Sequence, residues 1–239
     1  MATPTLPTGL DAAHLKTIRT RPTVHDQVFT QLRETLMAGR FDPGQVLTIP
    51  QLSASFGVSH MPVREALRQL AAENALEPMT NGSLRVPVVS RTRLDDLMEA
   101  RLAIEPLAAA RAAGRADETL LAAVEAAVDA HRSVTPKEGV ETLLKLNRDV
   151  HFLIYRAAGS AVLNDLIEAL WLRFGPYLRM LSQAIGPRLE DAAFKNGADH
   201  HLACLVALRA GKAEGARQAI AADIQATHTM LRPLVDGAD

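Results

Sequence analysis

The stretch QLSASFGVSHMPVREALRQLAAENAL, residues 51–76, contains two short amphipathic segments separated by a tight turn. Gly57 and Val58 form the turn, and Ser59 is a candidate N-cap for the second segment, because its hydroxyl can accept an otherwise unpaired backbone N–H. Pro62 falls in the first turn of that segment, where its missing N–H costs little. Two short helices joined by a turn containing Gly form a helix-turn-helix, whose second helix can enter the major groove of DNA.

The second segment has two chemically different faces. Arg64 and Arg68 lie one helical turn apart on one face. An apolar stripe repeats at helical spacing on another face, formed by Val63, Ala66, Leu67 and Leu70. An ordinary helical hairpin in a core, with Arg64 in a solvated salt bridge, would show the same spacing. The flanking sequence favours a helix-turn-helix over a helical hairpin in a core.

A Pro43-Gly44 turn and a short extended run precede the two helices, and two further extended runs surround Asn81-Gly82 after them. Asn-Gly between extended runs is a strong hairpin signal. Helix, turn, helix and hairpin in this order predict a winged helix-turn-helix with a small β-hairpin wing.

The segment GRFDPGQVLTIPQLSASFGVSHMPVREALRQLAAENAL, residues 39–76, resembles the N-terminal domain of the GntR family of bacterial transcription regulators. That family shares the Pro-Gly turn, the GVS turn and the PVREAL recognition helix. Two residues depart from its pattern: His60 stands where the family usually has Arg, and Asn74 where it usually has Gly. Because histidine changes charge near neutral pH, the first departure predicts mildly pH-sensitive DNA binding.

The resemblance also implies which side chains contact double-stranded DNA. The recognition helix would approach bases and phosphates through His60, Met61, Arg64 and Arg68. Thr80 and Asn81, at the wing tip, would enter the neighbouring minor groove. Residues 1–89 carry eight Lys and Arg against seven Asp and Glu. This prediction therefore depends on the motif and not on a strongly basic domain.

Composition indicates a mostly helical protein of one or two domains. The chain has 239 residues, 48% of them hydrophobic and only 4% aromatic. The single cysteine, Cys204, excludes a disulfide framework and is expected to be a small apolar filler. The chain has no apolar run of about 18 residues and no signal-like N-terminus, so we expect a cytoplasmic protein with no membrane partner.

The chain divides into three parts. Residues 1–22, with three prolines and several threonines, predict a flexible arm whose Arg19 and Arg21 could reach a groove of DNA. Residues 23–89 form the predicted winged helix-turn-helix. Residues 90–239 show only helical patterns and predict an all-α helical bundle for effector binding and dimerisation. Within it, Gly175-Pro176 predicts a kink or break in the helix that begins near Ala161.

Three segments of this second half resemble the FCD ligand-binding domain of the FadR subgroup. They are RLAIEPLAAARAA (101–113), NRDVHFLIYRAAG (147–159) and HLACLVALRAGKAEGARQAIAADI (201–224). The resemblance spans essentially residues 90–232. It implies an all-helical domain that binds a small carboxylate effector, in some members together with a metal ion.

Asn147 and His151 are four residues apart and therefore share one helix face, a spacing that suits two ligands of one metal. The FCD pattern has an Asp and a His here, followed by two more His. Carried over, the third position is His201 and the fourth is Asp223. Asn147 and Asp223 are departures, and the set with two imidazoles and two oxygen ligands suits zinc, nickel or manganese. Alternatively, these are buried polar residues that hydrogen-bond to one another.

Arg101 is the candidate partner of the effector carboxylate, because the family directs such an Arg into its cavity and a guanidinium can hold a carboxylate with two hydrogen bonds. A salt bridge to Glu105, four residues later, is the alternative. Arg148 and Tyr155, with Arg173 and Tyr177, are weaker candidates for the effector pocket or its rim.

Together the two resemblances imply a metabolite-responsive transcription regulator, which we interpret as a repressor. A homodimer would place two winged heads on a pseudo-palindromic operator. The alternatives are a helical metal-dependent hydrolase and a metal sensor that does not bind DNA. The hydrolase is disfavoured, because catalytic zinc needs a general base and no glutamate stands at a base-like spacing such as HExxH.

Overall fold

The computed structural model describes residues 22–188 and 196–236, so most of the predicted arm, with Arg19 and Arg21, lies outside the described residues. The described elements are, in chain order, α1 (Val24–Met37), β1 (Val46–Leu47), α2 (Ile49–Phe56), α3 (His60–Ala72), β2 (Glu77–Pro78), β3 (Leu84–Arg85), α4 (Arg91–Ala113), α5 (Glu118–Arg132), α6 (Gly139–Ala157), α7 (Ala161–Ile185), α8 (Asn196–Arg209) and α9 (Ala213–Asp236). The predicted fold class is confirmed: a mostly α protein with a winged helix-turn-helix followed by a helical bundle. We call α1 to β3 the head and α4 to α9 the bundle.

Helix α1 begins with a capping box. The Thr23 hydroxyl accepts a hydrogen bond from the Asp26 N–H (3.1 Å), and the Asp26 carboxylate accepts one from the Thr23 N–H (2.8 Å). The buried face of α1, with Leu32 and Leu36, packs on α3. The turn between α2 and α3 closes at Gly57, whose φ of 66° is the left-handed conformation that glycine adopts without strain.

Helix α3 buries the predicted apolar stripe, because Val63, Ala66, Leu67 and Leu70 are at most 2% exposed. Ser59 occupies the N-cap position in an extended conformation, but its side chain accepts no hydrogen bond from the helix. The expected capping bond is therefore absent. The stability of α3 then depends on its buried face, which is the usual source of helix stability in proteins.

The wing is a three-stranded antiparallel sheet in the order β1-β3-β2. Arg85 lies opposite Glu77 across the strands, and its Nε donates to the Glu77 carboxylate at 2.6 Å. The Asn81 side-chain oxygen accepts a hydrogen bond from the Ser83 N–H, and Gly82 next to it has a φ of 79°. The predicted hairpin at Asn81-Gly82 is therefore present.

The bundle surrounds a cavity. Helix α9 packs along α4 and α8, while α6 packs on α4, α5 and α7. The helical pattern of the sequence predicts a helix over about residues 189–210, of which the structure describes α8 from Asn196 to Arg209, while residues 189–195 lie outside the described part. Within the two described ranges, no helix combines the length and the apolar character needed to cross a bilayer.

Of the kink or break that the sequence predicts at Gly175-Pro176, the break is absent from helix α7. It runs without interruption from Ala161 to Ile185, with Pro176 inside it. A proline in a helix interior costs about 3 kcal/mol relative to alanine. The surrounding side chains offset this cost, because nearly every residue of this stretch is buried: Trp171, Leu172, Phe174, Tyr177 and Leu178.

The head rests directly on α7 at this point. A Cβ atom built on Gly175 would collide with the carbonyl oxygen of Leu36, at the end of α1. Ion pairs flank this backbone contact: Arg179 Nε lies 2.7 Å from Asp42, and Arg33 Nη1 lies 2.9 Å from Glu168. Gly175 therefore allows α1 and α7 to approach more closely than any side chain would permit.

Gly175→Ala is expected to lower the free energy of unfolding by roughly 1–3 kcal/mol, because overpacking forces backbone shifts. Urea unfolding followed by circular dichroism would measure the loss. Gly114→Ala is the matched control, since a Cβ there would meet only the Arg111 carbonyl oxygen, at 3.8 Å. Equal stability of the two variants would contradict the close contact between α1 and α7.

Candidate functional site

The recognition helix presents the four predicted DNA-contacting side chains on its exposed face. His60, Met61, Arg64 and Arg68 are exposed, whereas the apolar stripe of the same helix is buried in the head. Arg68 has one intramolecular ion pair, to Glu65 at 3.4 Å, between two largely exposed side chains. Such exposed pairs contribute little and can exchange for a phosphate contact.

The wing tip carries the two remaining predicted DNA contacts. Thr80 and Asn81 are exposed in the turn between β2 and β3. Asn81 also holds that turn through its hydrogen bond from Ser83. Asn74, the second departure from the family pattern, has a φ of 57°, so the position keeps the left-handed backbone that the usual glycine would adopt.

Three of the four candidate metal ligands converge inside the bundle. His151 Nε2 from α6 lies 3.2 Å from His201 Nε2 of α8 and 3.1 Å from the Asp223 carboxylate of α9. His201 Nε2 lies 3.9 Å from the other carboxylate oxygen. Ligands at about 2.0–2.1 Å from a tetrahedral metal are separated by about 3.3 Å. These donor atoms are therefore spaced to share one ion.

The fourth candidate, Asn147, lies one turn before His151 on α6 and lines the same cavity as His151 and Asp223. Its amide oxygen is a neutral donor, so the set offers two imidazoles, one carboxylate and one amide. This combination of nitrogen and oxygen donors fits a divalent transition metal.

A hydrogen-bonded chain fixes the orientation of the His151 ring. The Tyr155 hydroxyl donates to Glu105 Oε2 at 2.6 Å, because an ionised carboxylate can only accept. The Tyr155 oxygen then accepts from His151 Nδ1–H, 2.8 Å away. Neutral His151 consequently carries its lone pair on Nε2, the atom that faces His201 and Asp223. Support of this kind for a metal-ligating histidine is common.

The pKa shifts in this cluster favour the protonation states that a metal requires. Burial and the neighbouring His151 lower the pKa of His201 to about 3. Burial alone would raise the pKa of Asp223, but its contacts with His151 and His201 lower it to about 2. At neutral pH, His201 is therefore uncharged and Asp223 is ionised.

The structure contains the salt bridge that was one of the two sequence interpretations of Arg101, and its contact with an effector stays a prediction. Its Nε and Nη2 donate to Glu105 at 2.6 and 3.2 Å, which is the i,i+4 salt bridge, and both side chains are buried. Because Glu105 already pairs with both Nε and Nη2 of Arg101, a second carboxylate cannot bind to these two nitrogens. The third nitrogen, Nη1, has no hydrogen-bond partner among the described residues and stays available.

Arg101, Asn147, His151 and Asp223 line one cavity of about 310 Å³ in the bundle. The Arg101 guanidinium lies over two aromatic rings, 4.8 Å from the Trp171 centroid and 4.5 Å from the Phe174 centroid. The rest of the wall is mostly apolar and includes Leu143, Leu144, Leu178, Leu181, Ile185 and Met230.

His131 is a cavity residue that sequence reasoning missed. It is 6% exposed, lines the cavity, and its ring centroid lies 5.1 Å from that of His201. Burial, and then His151, lower its pKa to about 4. A signal was present in the sequence, because His131 continues the buried stripe of Leu121, Val124 and Val128 along α5.

The structure does not bring Arg148 to this cavity. Arg148 lines a separate pocket of about 250 Å³ between α1 and α6, together with Arg40, Glu141 and Lys145. Tyr155 is buried, and it reaches the site through His151 and Glu105. Of the other two rim candidates, Arg173 donates to the Glu73 carbonyl oxygen in the head, and Tyr177 donates to that of Ser90, the N-cap residue of α4.

Acid is expected to destabilise the metal-free protein through His131 and His201. Their folded pKa values of about 4 and about 3 lie below the ordinary 6.5, so the unfolded chain takes up protons first. The stabilisation is complete above pH 6.5 and is lost as the pH falls towards the folded values. From pH 7 to pH 5 we expect a loss of roughly 2 kcal/mol per histidine.

Urea unfolding at a series of pH values in the presence of a chelator measures this slope. His131→Gln should remove about half of it, because one of the two buried imidazoles is gone. A slope that is the same in the variant and the unmodified protein would contradict the assignment to His131.

Two family profiles match the chain. Residues 24–86 match the bacterial regulatory proteins of the gntR family, and residues 96–226 match the FCD domain. The chain is 31% identical over 205 residues to the HTH-type transcriptional regulator McbR of Escherichia coli (strain K12), covering 86% of this chain and 91% of that protein.

A second relative is the probable D-xylose utilization operon transcriptional repressor of Paenarthrobacter nicotinovorans. It is 30% identical over 205 residues, which cover 84% of this chain and 85% of that protein. The solved structure of E. coli McbR/YncC superposes with a TM-score of 0.80 at 29% identity, covering 91% of this chain and 99% of that one. The chain therefore belongs to the gntR family of bacterial regulatory proteins, carries an FCD domain after its helix-turn-helix, and is a transcription regulator and not an enzyme.

Proposed function

We propose that this regulator is a cytoplasmic, homodimeric repressor whose operator binding is controlled by a small carboxylate effector bound with a divalent metal ion. One observation carries the proposal: the donor atoms of His151, His201 and Asp223 converge, and His151 and Asp223 line the same cavity as Arg101, whose Nη1 has no hydrogen-bond partner among the described residues. The relative from P. nicotinovorans, itself named a repressor, supports the direction of regulation.

Residues 23–89 would form the DNA-binding domain and residues 90–239 the effector and dimerisation domain. From the recognition helix, His60, Met61, Arg64 and Arg68 would contact bases and phosphates, and Thr80 and Asn81 would follow the minor groove. Phosphate contacts supply affinity and base contacts supply selectivity. A twofold dimer presents two heads in opposite orientations, which suits a pseudo-palindromic operator.

Asn147, His151, His201 and Asp223 would hold the metal, with zinc, nickel and manganese all compatible with these donors. When bound, a divalent ion supplies positive charge for a carboxylate at the cavity wall. Without it, Arg101, Glu105 and Asp223 contribute one positive and two negative charges, a balance that opposes an incoming anion. Two added positive charges reverse that balance. Effector and metal should therefore bind cooperatively.

The effector can change operator binding only by preferring one arrangement of the heads over another. Helix α7 supplies a physical route for this preference. Its residues Phe174 and Leu178 line the cavity, while Gly175 and Arg179 contact the head. A ligand that displaces this part of α7 therefore moves the surface on which α1 rests.

Arg64→Ala is expected to weaken binding to the operator by about 10- to 100-fold, because one base or phosphate contact is lost. The operator is first selected from a random duplex library, and affinity is then measured by fluorescence anisotropy at fixed salt. Arg111→Ala, an exposed arginine at the end of α4, is the matched control. Unchanged affinity in Arg64→Ala would contradict the placement of the recognition helix α3 at the DNA interface.

His151→Ala is expected to abolish metal binding, because it removes the central donor and leaves Tyr155 without its partner. Native mass spectrometry of protein purified without chelator or nickel resin reads the ion's mass, its stoichiometry and the oligomeric state together. His200→Ala is the control, since His200 neighbours His201 but lies outside the converging set. Metal retained in His151→Ala, or a metal-free unmodified protein, would refute the site, and a monomer would refute the dimer.

A further inference from the structure

We infer that the effector of this cavity is a compact monocarboxylate with an apolar or aromatic body, and not a sugar acid or a dicarboxylate. The inference rests on the proposed function, since it takes the cavity to be the effector site. Beyond the proposed function, the inference specifies the size of the ligand and the chemistry of its two ends. The size follows from the cavity volume, and each end follows from a different part of the cavity wall.

The size of the ligand follows from the volume of the cavity, about 310 Å³. This volume is near the lower limit of ligand pockets, which favours a small ligand. A benzene ring with a two- or three-carbon acid chain is such a ligand.

One end of the ligand must accept hydrogen bonds. Arg101 Nη1 and Trp171 Nε1 both lack a partner among the described residues, and their side chains are 3% and 2% exposed. Both groups can only donate. The Arg101 guanidinium lies 4.8 Å from the Trp171 ring centroid, so the two side chains lie in the same part of the cavity wall. A carboxylate oxygen satisfies such donors, and leaving them buried and unpaired is costly.

The other end of the ligand faces hydrocarbon. Leu143, Leu181, Ile185 and Met230, together with Leu178, supply no hydrogen-bonding side chain. Thr227 and Thr229 also line the cavity, but the Thr229 hydroxyl already donates to the Gln225 carbonyl oxygen. Asn147, His131 and Thr227 remain as polar partners on a mostly apolar wall, so several of the hydroxyl groups of a sugar acid would lose water without gaining partners, which opposes their binding.

A second carboxylate would also be unmatched. Among the residues that line this cavity, Arg101 is the one arginine or lysine, and Glu105 already occupies two of its nitrogens. With the metal ion and Arg101 Nη1 taken to hold the same carboxylate, as in the proposed function, the wall accommodates one anionic group.

Trp171 makes this inference directly measurable, because it is the single tryptophan of the chain and part of the cavity wall. We would titrate the full-length, zinc-loaded protein with 3-phenylpropionate, its neutral amide, gluconate and succinate, and follow tryptophan emission. The expected result is saturable binding of 3-phenylpropionate, at least tenfold tighter than each of the other three. Tighter or equal binding of any one of them, or no response to 3-phenylpropionate, would overturn the inference.

A pair of variants tests the apolar wall. Met230→Gln should weaken 3-phenylpropionate binding at least fivefold, because it places an amide against the body of the ligand. Leu202→Gln is the control, since Leu202 and Met230 are both 36% exposed and Leu202 lies outside the cavity wall. Equal affinity of the two variants would show that Met230 does not contact the ligand, and would contradict the proposed apolar end of the site.

The titration contains no DNA, so its outcome is separable from that of the proposed function. If the protein selects an operator but does not bind 3-phenylpropionate, the proposed regulatory function stands and the proposed ligand class is wrong. If the protein binds 3-phenylpropionate but selects no duplex sequence, the ligand class stands and the proposed repressor function is wrong.

Discussion

The buried ion pair between Arg101 and Glu105 is the constraint on which the bundle site depends. Two charges removed from water are tolerated only when their hydrogen bonds are complete, and removing one partner is strongly destabilising. Glu105 meets this requirement with two bonds from Arg101 and one from Tyr155. Since Tyr155 also orients His151, the ion pair on α4 sets which nitrogen of that ring faces Asp223 on α9.

Sequence reasoning recovered those features whose determinants are local. The turn at Gly57, the stripe of α3 and the Asn81-Gly82 hairpin each lie within a few residues, and each is present. It recovered less of the cavity, because Glu105 and Tyr155 are 50 residues apart and only the fold brings them together. The break at Gly175-Pro176, which the sequence offered as the alternative to a kink, is absent for the same reason, since packing from other helices outweighs the local preference.

Arg148 shows what helix geometry alone could have excluded. Asn147 and His151 are four positions apart and face the same cavity, whereas Arg148 is rotated by about 100° from Asn147. It therefore points to the neighbouring pocket, beneath α1. His131 is the opposite case, a histidine on the buried stripe of α5 that helical periodicity would have placed inside the bundle.

Helix α7 combines sensing and output in one rigid element, but it presents them on different faces. Phe174, Leu178, Leu181 and Ile185 line the cavity at helical spacing, while Gly175 and Arg179, one position after Phe174 and Leu178, contact the head. Ligand preference and operator control can therefore diverge independently during evolution. The same separation makes α7 a suitable place to redesign this regulator as a biosensor. Exchanging Leu181 and Ile185 reshapes the cavity, while the contact between α1 and Gly175 stays intact.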